Sequence, residues 1–65
     1  MDNYEFRFYR SDGEYSVCCY CACSSGHDAL RAARALLNPR LPTASVWLED
    51  CCVGQVFLTA PKAAA

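Results

Sequence analysis

Tyr15-Ser16-Val17-Cys18-Cys19-Tyr20-Cys21-Ala22-Cys23 holds four of the six cysteines in the chain. It can be read as a thiolate site or as a strand, and the choice decides the fold. Structural zinc sites present C-x₂₋₄-C pairs with four converging ligands. The C-C-x-C-x-C spacing here is closer to a soft-metal thiolate run. On an extended strand Cys19, Cys21 and Cys23 share one face with successive thiols ~7 Å apart, too far to chelate one ion unless the strand bends. The stretch is therefore expected to be a strand whose thiols act mostly as small buried hydrophobes.

The residues upstream support the strand. In Asn3–Arg10, Tyr4, Phe6 and Phe8 alternate with Glu5, Arg7 and Tyr9, the period of a strand with one buried face. Asp12-Gly13 between the two runs is a hairpin signal, because a type I′ turn needs positive φ at both central residues. With Asp12-Gly13 as a two-residue loop, Arg10 pairs with Tyr15, Phe8 with Val17, Phe6 with Cys19 and Tyr4 with Cys21. The apolar faces then coincide, and a one-residue slip would destroy the match. The other face sets Tyr9 beside Ser16, Arg7 beside Cys18 and Glu5 beside Tyr20. Cys19 and Cys21 are thereby expected to face the helix.

Downstream, Ser25 is the expected N-cap of a helix running from His27 to about Leu37, with Asp28 completing a capping-box-like pattern. Ala29, Leu30, Ala33, Leu36 and Leu37 form its apolar stripe. Asn38 suits the left-handed position after the helix, and Pro39 forbids continuation. Ala44–Glu49 reads as a third strand, with Ala44, Val46 and Leu48 toward the helix and Ser45 and Trp47 away from it. Asp50–Cys52 reads as a turn and Val53–Thr59 as a fourth strand. Its register stays open between Val56/Leu58 and Val53/Phe57 pointing inward, with Gly54 permitting a bulge. Residues 1–60 form one domain, and 61–65 are expected to be a disordered tail.

The expected class is α+β, ββαββ, a four-stranded antiparallel sheet with one helix on one face. The helix makes strands two and three point the same way. The order 2-1-3-4 keeps every neighbour antiparallel, whereas 1-2-3-4 would need a parallel pair.

Tyr4, Phe8, Asp12, Gly13, Ala29 to Leu37, Val46, Trp47, Val53 and Gly54 together resemble a widespread group of short uncharacterised bacterial proteins, common in alphaproteobacteria. These share a hairpin, a helix rich in Ala, Leu and Arg, and a V-W strand followed by V-G. The resemblance implies the ββαββ fold and brings no activity with it. The cysteine density departs from that pattern.

Composition narrows the function classes. Net charge is −1, which supplies no general drive toward nucleic acid or anionic lipid. The start M-D-N-Y-E-F-R-F has neither a basic n-region nor an apolar h-region, so the expectation is a cytoplasmic chain with reduced thiols. Gly13, Gly26 and Gly54 are isolated, and there is neither a phosphate loop nor a nucleophile elbow, so catalysis is not expected.

Two constellations remain. Arg7, Tyr9, Tyr20 and Trp47, with Glu5, Ser16 and Cys18, are expected on the helix-free sheet face. Aromatics and Arg there mark a protein-binding or homodimerising surface, and less readily a platform for RNA bases. The alternative is a thiolate site, zinc-binding or redox-active, drawn from Cys18, Cys23, Cys51 and Cys52. His27, alone in the first helical turn, reads as a surface residue.

Overall fold

The computed structural model describes residues 1–58. Thr59 and the expected tail lie outside the described residues. The elements are β1 (Asp2–Tyr9), β2 (Tyr15–Cys23), α1 (Gly26–Ala35), β3 (Thr43–Leu48) and β4 (Cys51–Phe57). The sheet runs β2-β1-β3-β4 with every pair antiparallel. The fold is thus the expected ββαββ, and β2 and β4 are its edges.

The alternation in β1 builds the core. Tyr4, Phe6 and Phe8 are buried, Phe6 completely, while Glu5, Arg7 and Tyr9 are half-buried on the opposite face. Ala44, Val46 and Val56 join them from β3 and β4, and Ala29, Ala33 and Leu37 from the helical segment. Alanine at the two fully buried helix positions brings the helix close to the sheet. Close approach also favours glycine at two positions. A Cβ on Gly54 would sit 3.2 Å from Leu30 Cδ2, and one on Gly26 3.0 Å from Val53 Cγ1.

The β1–β2 register is as expected from Tyr4↔Cys21 through Phe8↔Val17. The turn differs. Arg10 carbonyl accepts from Gly13 N–H, Arg10 N–H donates to Glu14 carbonyl, and only Gly13 has positive φ, at 89°. The loop therefore has three residues, Ser11-Asp12-Gly13, a type I turn closed by a left-handed glycine. Asp12 Oδ1 accepts from Glu14 N–H at 2.9 Å and helps hold it. The extra loop residue shifts the pairing so that Tyr9 meets Tyr15 rather than Ser16. A bulge at Ser16 shifts it back, so the core pairing survives.

Ser25 caps α1 as expected, its Oγ accepting from Asp28 N–H at 3.2 Å, and the Ser24 hydroxyl donates to the Asp28 carboxylate. The helix ends at Ala35, two residues early. Leu37 folds into the core, but Leu36 is exposed and leaves the expected stripe. Asn38 does not adopt positive φ. Its side chain works instead, with Oδ1 accepting from the N–H groups of Arg40 and Leu41.

The second hairpin turns at Glu49-Asp50, with Glu49 at φ 56°, so β4 begins at Cys51, two residues earlier than expected. Both candidate registers of β4 are half right. A bulge at Val53 lets Val53 and Val56 both pack toward the helix side, while Phe57 and Leu58 stay exposed.

Candidate binding surface

Pairing places the side chains of the helix-free face in three rows across all four strands. Tyr20, Glu5, Trp47 and Cys52 form one row; Cys18, Arg7, Ser45 and Gln55 the next; Tyr15, Tyr9, Thr43 and Phe57 the third. The expected residues Arg7, Tyr9, Tyr20 and Trp47 therefore do share one surface.

Ser45 is its centre. It is only 2% exposed although the helix lies on the opposite side of the sheet. Trp47 Nε1 donates to Ser45 Oγ at 2.8 Å, and the Tyr9 hydroxyl pairs with the same oxygen at 3.1 Å. The Arg7 guanidinium carbon stands 4.3 Å from the centroid of the Trp47 ring. Arg7 is fixed from its other side by Glu5, with Nε to Oε2 at 2.9 Å and Nη2 to Oε1 at 3.2 Å. The Glu5 carboxylate raises the Arg7 pKa, chiefly through these hydrogen bonds. Tyr9 also meets the Tyr15 ring edge-on at 6.0 Å. Tyr15's own pKa is raised, first by its hydrogen bond with Cys18.

The polar atoms of this network satisfy one another. Arg7, Tyr9 and Trp47 are thereby fixed in place, and the groups left outward are Tyr15, Tyr20 and Phe57, all more than half exposed. Beside Phe57 lies a shallow open depression of about 340 Å³ bordered by Tyr9, Thr43 and Gln55. Sequence reasoning missed Tyr15 and Phe57, and it placed Ser45 on this face without its burial at the centre. Three loop residues before Glu14 were the available sign that Tyr15, not Ser16, would join this face.

The cysteines depart furthest from expectation. Cys19 pairs with Phe6 on the helix side, yet it is exposed. The helix leans toward β4, with Leu30 over Gly54 and Gly26 against Val53, and leaves the Val17–Cys19 end of β2 bare. Cys21 is half-buried and only Cys23 is buried. The two are not held apart by the strand, since Cys23 Sγ donates to Cys21 Sγ at 3.7 Å. Burial, and then that hydrogen bond, raise the Cys23 pKa. Cys18 lies in the Arg7 row. Cys51 and Cys52 lie exposed on β4. The set Cys18, Cys23, Cys51 and Cys52 is not brought together, because its halves occupy opposite edges of the sheet, ~14 Å apart at the usual strand spacing. Among the described residues no group of three or more His, Cys, Asp or Glu side chains could hold a metal ion, and no helix is long and apolar enough to cross a membrane.

Compared with known proteins, the chain matches no family model, no curated protein and no solved structure.

Proposed function

We propose that the protein is a non-enzymatic binding module that holds another protein chain, its own or a different one, on the helix-free sheet face. The observation that carries this is the buried Ser45, which fixes Trp47 and Tyr9 in place on a face that no other element covers among the described residues. Around that fixed centre Tyr15, Tyr20 and Phe57 expose large rings, the kind of side chain that anchors an interface. The short-bacterial-protein resemblance belongs to the same proposal, as does a reducing cytoplasmic setting for six free thiols. A net charge of −1 argues for protein over nucleic acid.

Light scattering on the purified chain, with Tyr20→Ser and Phe57→Ser as comparisons, tests it. Both side chains are exposed, so the variants should fold, and each should weaken capture of a chain bound on this face at least tenfold. Variants that bind as the parent does would contradict the proposal.

The Cys21–Cys23 distance supports a second reading, a two-thiol site for a soft ion such as monovalent copper. Zinc, which favours four ligands, fits it less well. Native mass spectrometry after copper(I) addition, comparing the parent with a Cys21→Ser/Cys23→Ser double variant, decides it. Equal copper uptake by both would remove this reading.

A further inference from the structure

Among the described residues strand β2 is an edge with few of the usual protections. Sheet edges are normally blunted by charge, proline, bulges or cover, because their free N–H and C=O groups template another strand. Over nine residues β2 has no charged residue, no proline and no glycine. Its one bulge, at Ser16, lies beside the turn and leaves Val17–Cys23 regular. Six of its residues are exposed, including Tyr15, Val17 and Tyr20. The other edge is protected differently. β4 is shorter, carries a bulge in mid-strand at Val53, and contains Gly54; such a bulge bends the edge away from flat pairing.

We propose that β2 pairs antiparallel with β2 of a second copy of this chain, joining the two sheets into one of eight strands. This goes beyond the proposed function, because the second copy is joined at the β2 edge and the open sheet face stays free for its own partner. The occupant is a second copy because the edge is complementary to itself. An uncharged strand meets no like charge when repeated across a two-fold axis. A two-fold perpendicular to the sheet also keeps each face on its own side, so only same-face residues pair. Full overlap of Tyr15–Cys23 puts the axis at Cys19. Val17 then meets the partner's Cys21, Cys18 meets the partner's Tyr20, and Cys19 meets the partner's Cys19. On one face the apolar stripes that the helix leaves bare run together across the seam. On the other, the two Ser45-centred surfaces become one, with Tyr20 of each copy at the seam. A two-fold pairing closes, so β4 stays out of it and no fibre propagates.

The native thiols report the register. Oxidised glutathione should convert two facing Cys19 thiols into one intermolecular disulfide, releasing two molecules of reduced glutathione. Non-hydrogen-bonded antiparallel pairs bring Cα atoms to about 4.5 Å, within disulfide range. Light scattering should give twice the 7.2 kDa of one chain. Val17→Lys, at a position 48% exposed, should halve the mass while leaving the far-ultraviolet circular dichroism unchanged. The covalent dimer should be lost in Cys19→Ser and kept in Cys51→Ser/Cys52→Ser. A chain monomeric up to millimolar concentration overturns the proposal, as does a dimer untouched by Val17→Lys. A dimer that survives Val17→Lys but is lost in Phe57→Ser overturns the seam alone and leaves the sheet-face reading standing.

Discussion

The two faces of this sheet are held by different physics. The helix side is an apolar core in which Phe6, Val46, Ala29 and Ala33 are completely excluded from water. Its tolerances are steric, as the Leu30–Gly54 and Gly26–Val53 approaches show. Among the described residues the open side has no covering element, yet it buries Ser45 beneath a network of Trp47, Tyr9, Arg7 and Glu5. There the order comes from hydrogen bonds and stacking, which in partly wet surroundings are each worth little. The comparison teaches that a small sheet can stiffen an exposed face without a second layer, by converging polar tips on one short hydroxyl side chain.

Substitutions should separate the two mechanisms by size. Phe6→Ala should cost most, on the order of 3–5 kcal/mol, because it opens a cavity in a dry core. In a chain this short that removes most of the stability, so loss of the cooperative urea transition is the expected outcome. Gly54→Val should cost about 1–3 kcal/mol by forcing Leu30 aside, read as a lower urea midpoint with unchanged slope. Ser45→Ala should cost about 1 kcal/mol, since water can reach the freed Trp47 Nε1 and Tyr9 hydroxyl. Its clearer signature is a shift in Trp47 fluorescence. A Ser45→Ala protein as stable as the parent with unshifted emission would show that the network does not organise this face.

The smallest effect is on pH. Burial raises the Cys23 pKa above its ordinary 9.0, so the folded state retains a proton that the unfolded chain gives up first. Its contribution is whole below pH 9 and falls as pH rises from 9.0 toward the raised value. Urea midpoints measured across that range should decline, and Cys23→Ala should flatten the decline. An unchanged slope in Cys23→Ala would assign the loss to Tyr15 and Cys19, which are raised as well.

Much of the fold was legible because face alternation and register have to agree. Tyr4, Phe6 and Phe8 could meet Val17, Cys19 and Cys21 in only one register that kept the apolar faces together, and the helix fixed the strand order. What escaped were features that leave the pattern nearly intact. The three-residue loop and the Ser16 bulge cancel, so the core pairing looks the same with neither. The bulge at Val53 lets both inward-facing alternatives in β4 be partly true. The thiols were misjudged because strand alternation names a face but not its cover. Helix α1 ends at Ala35 and leans toward β4, so Cys19 faces the helix side without being buried. On the open face Arg7, Tyr9, Tyr20 and Trp47 were legible as a group. The burial of Ser45 was not, since nothing in the residue type marks a serine that two aromatic neighbours will converge on.

Amide hydrogen exchange followed by nuclear magnetic resonance at low and high protein concentration tests the association surface most directly. Alternate amides of β2 point away from β1 and should gain protection as concentration rises, while the outward amides of β4 should not. Exchange independent of concentration on every strand, or protection gained on β4 instead, would contradict the account.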